Sequence, residues 1–300
     1  MELGLVADCL AEVSLPEVVR WAAGAGFKAL EVSCVARGNG WFDGAHLVPA
    51  KVNDAAARQI DELLAANGLR LSCLSLRENL LDPDEAARNA RWAQLADVVR
   101  TAARLKVPVV SCLVGRDPKL RAGESIAAWA RLAAEPLRLV EEHGLKLAIE
   151  NGPEVGRLGE DLPANLAFAP EMWEKIFTHA KSDAVGLNLD PSHLVWLGVD
   201  PLEVVTAYAE RIFHVQAKDT EVFRDRLSDC SVLRPGGGWW RYRLPGLGEI
   251  DWRRFIDRLQ ENGYDGVLAI EHEDPVWTGE QDRLKRSLEF SRRYLAQFIV

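Results

Sequence analysis

The chain has 300 residues, 48% of them hydrophobic and 27% charged, which supplies a large core and excludes a disordered chain. Its 36 Lys and Arg against 45 Asp and Glu give a formal charge of -9, which repels polyanions and argues against nucleic acid as a partner. No stretch approaches the roughly 18 consecutive apolar residues of a membrane helix, and Met1-Glu2 runs directly into Leu3-Gly4-Leu5-Val6 without a basic leader, so no membrane partner and a cytoplasmic location are expected.

Along the chain, short apolar runs alternate with amphipathic helical stretches, the pattern of parallel strands joined by helical crossovers. Leu3–Cys9 is the first expected strand; Ser14-Leu15-Pro16-Glu17 then caps a helix that Gly24-Ala25-Gly26 closes. Strand Ala29–Cys34 is followed by a helix over Asn53–Asn67, and strand Arg70–Leu76 by a long helix over Pro83–Lys106. Strand Val107–Val114 leads to a helix over Glu124–His143; Lys146–Glu150 is the fifth strand and Pro170–Lys181 the next helix. Val185–Asp190, a helix over Pro201–Arg211, strand Ile212–Lys218, a helix over Asp251–Asn262, strand Val267–Glu271 and a terminal helix over Gly279–Phe298 complete the series. Eight such units predict a single (β/α)8 TIM barrel over residues 1–300. The five cysteines form no CxxC pair; Cys9, Cys34, Cys73 and Cys112 fall in or at the end of apolar runs and read as buried thiols.

Helix-to-strand connections such as Asn67-Gly68-Leu69 and His143-Gly144-Leu145 are short, whereas Val35–Val52, Asn151–Ala169 and Asp219–Ile250 are long, so function belongs on the long-loop side. The segment after the seventh strand, about 219–250, contains Arg234-Pro235-Gly236-Gly237-Gly238-Trp239-Trp240-Arg241-Tyr242-Arg243. It reads as a lid with two exposed tryptophans that stack on a sugar face, Trp240 being a substrate-binding candidate. The other reading is a turn whose tryptophans pack on the barrel rim or at a subunit interface. Phosphate recognition stays open through Arg157, Arg241 and Arg243.

Polar residues gather at the ends of the later strands: Glu150-Asn151, Asp190 and His193, then His214, Gln216 and Lys218, then Glu271-His272. In a parallel barrel all such ends lie on one face. Glu150, Asp190 and Glu271 with a neutral ligand from the seventh strand make a hard, oxygen-rich set suited to Mn²⁺ or Mg²⁺, with Co²⁺ or Zn²⁺ also tolerated. His214, Gln216 and Lys218 share one face of their strand. Lys218 can stabilise developing negative charge or pair with a site carboxylate.

Ala148-Ile149-Glu150-Asn151, Asn188-Leu189-Asp190-Pro191-Ser192-His193, Val215-Gln216-Ala217-Lys218-Asp219, Gly246-Leu247-Gly248-Glu249-Ile250-Asp251-Trp252 and Ile270-Glu271-His272-Glu273 resemble successive motifs of the sugar isomerase/epimerase superfamily with the xylose-isomerase-like barrel. That superfamily also includes ketose 3-epimerases, inosose dehydratases and apurinic endonucleases. The resemblance implies that Glu150, Asp190 and Glu271 are metal ligands, Mn²⁺ being the best match, and that His193 lies at or behind the substrate. It implies a histidine two residues before Lys218-Asp219, where this chain has Gln216. Gln216 can ligate through its carbonyl oxygen; His214, one pleat earlier, is the other source of a ligand or a substrate contact.

The resemblance further implies that Glu150 and Glu271 flank the substrate carbon, one removing a proton beside a carbonyl polarised by the cation and the other returning it through an enediolate. The expected function is a metal-dependent sugar isomerase or epimerase with a small-molecule carbohydrate substrate. Alternatives are a dehydratase or lyase on a keto-sugar or keto-inositol, and a non-catalytic sugar-binding barrel. The endonuclease branch is disfavoured by six scattered histidines and the acidic charge. Relatives of this kind are often dimers or tetramers, so a homo-oligomer is anticipated.

Overall fold

Three of the helix stops read from the sequence are left-handed turns: Gly68, Gly144 and Gly263 have φ of 62°, 65° and 81°. An L-residue is strained there, and glycine lets the chain reverse within two residues into the next strand. The computed structural model describes residues 1–34, 46–157 and 159–300. Residues 35–45, most of the first long connection, and Leu158 in the second lie outside the described residues.

The barrel is closed and all-parallel. Its strands are β1 (Glu2–Val6), β2 (Ala29–Ser33), β3 (Arg70–Leu76), β4 (Val109–Cys112), β5 (Lys146–Glu150), then, past a hairpin of β6 (Val155–Gly156) and β7 (Gly159–Pro163), β8 (Val185–Leu189) and β9 (Ile212–Ala217). A second hairpin, β10 (Asp219–Val222) and β11 (Trp240–Arg243), precedes β12 (Val267–Ile270), which pairs with β1 to close the ring. Each expected strand is present: β3 and β5 end where expected, β2, β8, β9 and β12 one residue earlier, β4 is shorter by two residues at each end, and the last three residues expected of the first strand form a 3-10 turn.

The helices are α1 (Leu15–Gly24), α2 (Asp54–Ala66), α3 (Glu85–Arg104), α4 (Ala122–Leu132), α5 (Ala134–Glu142), α6 (Pro170–Ala180), α7 (Pro191–Leu197), α8 (Pro201–Ala207), α9 (Arg224–Cys230), α10 (Trp252–Glu261) and α11 (Gln281–Ala296). Asn53, Asp84, Asp200 and Asp251 cap their helices with side-chain oxygens. The helix expected over Glu124–His143 is two, broken at Ala133, because Pro136 has no N–H for the carbonyl of Leu132. Asp190-Pro191-Ser192-His193 also reads as a helix cap, and Asp190 does cap short α7 by accepting from the Ser192 N–H, so a site residue also starts a helix.

Trp129, Trp173, Trp252 and Phe255 are fully buried between helices and barrel. Packing is tight where strands meet: a β-carbon on Gly186 in β8 would lie 2.2 Å from the Arg211 carbonyl oxygen. Cys34, Cys73 and Cys112 are buried, Cys9 is half-buried, and all five cysteines are free.

The segment 219–250 is not an open loop but the β10/β11 hairpin with α9 between its strands. Asp219 anchors it: Oδ1 accepts from the Thr220 and Ile250 N–H groups at 2.8 and 3.1 Å, and Oδ2 from the Gly246 N–H and Trp252 Nε1 at 3.1 and 2.9 Å. The two tryptophans are not both exposed. Trp239 is 2% accessible and Trp240 half-buried, stacked on Trp196 with centroids 4.4 Å apart and planes within 9°. Both tryptophans thus pack on the barrel rim, since flat apolar rings gain more by covering one another than by facing water. Among the described residues no helix is long and apolar enough to cross a membrane.

Candidate active site

The C-terminal strand ends converge on two buried cations. Arg77, the residue after β3, is 2% accessible and presents its guanidinium to four carboxylates. Nε donates to Glu150 Oε2 at 2.8 Å, Nη1 to Asp8 Oδ2 at 2.9 Å, and Nη2 lies 3.2 Å from Glu31 Oε1 and 2.9 Å from Glu271 Oε1. Lys218, after β9, places Nζ 2.8 Å from Glu271 Oε2, 2.8 Å from Glu273 Oε2 and 3.0 Å from Asp190 Oδ2. Glu271 thus bridges the two cations, one oxygen to each. Burying either charge alone would be prohibitive; each is retained because carboxylates surround it.

The carboxylates outnumber the cations, and their proton affinities register it. Burial, only partly offset by Arg77 and reinforced by Glu271, pushes Glu150 up to about 8. The same balance raises Glu31 to about 7 and Asp8 to about 6. At Asp190 burial works in the same direction, but Lys218 and His193 outweigh it and hold the carboxyl below its ordinary range. Lys218 is held well above its ordinary range, its carboxylates overcoming the desolvation.

Gln216 and His214 point into the barrel from β9. Gln216 Nε2 donates to both oxygens of Glu31, at 3.1 and 3.2 Å, while its Oε1 is buried with no hydrogen-bond partner. Asp190 Oδ2 makes ion-pair contacts only and accepts no directed hydrogen bond. Two such oxygens beside surplus carboxylate charge are donors of the kind a hard divalent cation takes, but among the described residues Glu150, Asp190 and Glu271 do not bring their ligand atoms within 4.8 Å of one another, and Arg77 and Lys218 stand between their carboxylates. His214 does not join them. Its Nδ1 lies 3.0 Å from Asn188 Oδ1 and its Nε2 3.1 Å from Ser72 Oγ, and burial lowers its pKa to about 3. It is a neutral member of a polar layer beneath the site, so neither the substrate contact nor the ligand role expected of it has a free nitrogen. Glu31, Cys73 and His214 do bring ligand atoms within 4.8 Å of one another, a second group that could hold a cation, but Arg77, Gln216, Asn188 and Ser72 already occupy two of its members.

His193, on α7, sits with Nε2 3.1 Å from Asp190 Oδ2 and Nδ1 2.7 Å from the Tyr242 hydroxyl. Tyr242 comes from the hairpin, and its ring lies 4.5 Å from Lys218 Nζ. Trp240 stands one ring further out, 4.7 Å from Tyr242, so it borders the site through Tyr242. Arg241 and Arg243 are both paired with Glu221, and Arg243 also with Asp274, which removes them as phosphate ligands.

Sequence reasoning missed Arg77, Asp8, Glu31, Glu273 and Tyr242. Two amides align the strand ends, Asn151, already placed among them by the sequence, and Asn165, which was not. Asn151 exchanges side-chain hydrogen bonds with the Asp190 N–H and C=O, and Asn165 accepts from the Val114 and Gly115 N–H groups while donating to the Glu150 and Gly152 carbonyls. The one local signal was Asn151 directly after Glu150; a lone arginine after an apolar strand carries no periodicity.

A family profile described as xylose isomerase-like TIM barrel matches residues 19–294. The uncharacterised protein YfiH of Bacillus subtilis (strain 168) is 26% identical, the alignment covering 99% of this chain and 100% of that protein. An inosose dehydratase of Clostridium perfringens is 31% identical over 51% of this chain and 47% of that enzyme, so the likeness spans about half of each. Among solved structures, the IolI protein with a bound zinc atom superimposes with a TM-score of 0.75 at 18% identity, covering 100% of this chain and 99% of that one, a likeness of fold.

Proposed function

The chain belongs to the xylose isomerase-like TIM barrel family, and on that premise we propose that it is a divalent-metal-dependent carbohydrate isomerase or epimerase. The observation that carries this reading is the pair Glu150 and Glu271, gathered on one guanidinium with Asp190 and Gln216 beside them. Glu150, Asp190, Gln216 and Glu271 would hold the cation, with Mn²⁺ favoured by the oxygen donors. When bound it would polarise a substrate carbonyl and acidify the adjacent C–H.

The chain's own residues divide the proton work. Glu271, with one oxygen 2.9 Å from Arg77 Nη2 and the other accepting from Lys218, is the base that takes the proton from carbon. Glu150, whose carboxyl burial pushes up to about 8 before any cation is bound, is the residue that returns one. Return to the same carbon from the opposite face inverts a hydroxyl-bearing centre; return to the neighbouring carbon moves the carbonyl. Lys218 neutralises Asp190 and Glu271, and His193 with Trp240 lines the substrate side. The hairpin 219–250 would act as the lid.

A second reading, dehydration of a keto-sugar or keto-inositol, is favoured by the likeness to inosose dehydratase. It shares the first proton abstraction and then expels a β-hydroxyl. Incubation of Mn²⁺-loaded protein with ketoses and keto-inositols in deuterated water tests both. Deuterium at the carbon beside the carbonyl is expected; an ultraviolet-absorbing enone would select dehydration. No uptake with any substrate and no bound metal would instead support a non-catalytic sugar-binding barrel.

A further inference from the structure

We propose that Arg77 is the positioning residue of the proton-transfer pair, its guanidinium setting the distance and orientation between the carboxylates of Glu150 and Glu271. This rests on the isomerase or epimerase reading above. Nε and Nη2 lie on the same edge of the planar guanidinium, and they engage one oxygen of each glutamate at 2.8 and 2.9 Å. A rigid fork therefore spans side chains that are 121 positions apart in the sequence and on strands that do not pair with each other. The remaining donors are taken as well: Nη1 by Asp8, and Nη2 a second time by Glu31. Rotation of the fork in its plane is thereby blocked from the far side.

A lysine cannot do this. Its ammonium carries the same charge, but it is a point donor without the planar edge that gives Nε to Glu150 and sets Nη2 against Glu271, and its stem would be free to side with either glutamate. Charge neutralisation needs only a cation; a fixed separation needs the fork. Two glutamates that must address one carbon need that separation, since a misplacement of about 1 Å can cost on the order of 100-fold in rate. Arg77 transfers no proton in this arrangement and acts through the carboxylates it holds.

The test is Arg77→Lys, assayed with Mn²⁺ by solvent deuterium exchange on the ketose that the wild type turns over. The expected result is a loss in kcat of about 100-fold with KM changed less than about threefold, Mn²⁺ affinity by paramagnetic titration within about tenfold of wild type, and partial recovery of Arg77→Ala by added guanidinium. Retention of kcat within about threefold overturns the proposal, as does a loss that appears equally in KM and Mn²⁺ affinity without guanidinium rescue. Should Arg77→Lys not fold, Asp8→Asn/Glu31→Gln/Arg77→Lys replaces it, since it leaves the cation facing two carboxylates instead of four. If the wild type exchanges deuterium with no ketose or keto-inositol, the isomerase reading fails separately. Crystal structures then decide the positioning: carboxylates of Glu150 and Glu271 that stay within about 0.5 Å of their wild-type places in Arg77→Lys overturn it, and displaced ones support it.

Discussion

Replacing Asp219 with asparagine is expected to cost about 3 kcal/mol of folding stability, although the change is nearly isosteric and the residue is not proposed to touch substrate. Four N–H groups point at the two carboxylate oxygens, Thr220 and Ile250 at one, Gly246 and Trp252 Nε1 at the other. Asparagine keeps one oxygen. Whichever way its amide turns, an NH2 group faces two N–H donors, and two buried donors lose their acceptor. Each such orphan costs about 1–3 kcal/mol, a gross penalty of roughly 2–6. Against this, burial pushes the Asp219 carboxyl above its ordinary range, so a neutral side chain recovers part of that desolvation cost.

Urea denaturation at pH 7 measures the net, and calorimetry should show a melting temperature lowered by roughly 5 °C. Because the four donors tie the hairpin to α10, hydrogen exchange should quicken at Gly246 and Ile250 before it does in the barrel strands. A stability within about 0.5 kcal/mol of wild type, or a loss without faster exchange at those amides, would refute the reasoning.

The Asp8 carboxyl, pushed by burial to about 6 from an ordinary 3.8, stabilises the fold below pH 4 and loses that contribution as pH rises through 6. Asp8→Asn should therefore flatten the stability-versus-pH curve between pH 4 and 7 by on the order of 2 kcal/mol, read from denaturation midpoints across that range. Gln216→Ala removes the buried carbonyl oxygen that accepts no hydrogen bond and should weaken Mn²⁺ binding at least about tenfold by calorimetric titration; unchanged affinity would remove Gln216 from the ligand set. Glu154 has φ of 53°, a left-handed conformation that costs a side-chain-bearing residue about 1 kcal/mol, so Glu154→Gly should raise the unfolding midpoint slightly. Gly186→Ala forces a β-carbon against the Arg211 carbonyl and should destabilise by about 1–3 kcal/mol.

The strands, the helix caps and the polar strand ends were legible because each depends on neighbours a few residues away. Period-two and period-3.6 burial, a glycine at φ near 60° and an aspartate before a helix are local facts, and alternating units permit few topologies. Glu150, Asp190, Gln216, Lys218 and Glu271 could be placed on one face for that reason alone. What they bind to each other could not be read. Closure of β1 on β12 brings Asp8 and Glu31 beside Glu271 and across the barrel from Glu150, and the guanidinium of Arg77 meets all four only there. The same closure gives the amide nitrogen of Gln216 to Glu31, sinks His214 into the layer of Asn188 and Ser72, and folds Trp239 and Trp240 onto Trp196 rather than into solvent. A residue's face on its strand follows from the chain's own periodicity, whereas the partner of a buried charge is chosen by desolvation and geometry among groups that only the closed barrel brings within 3 Å.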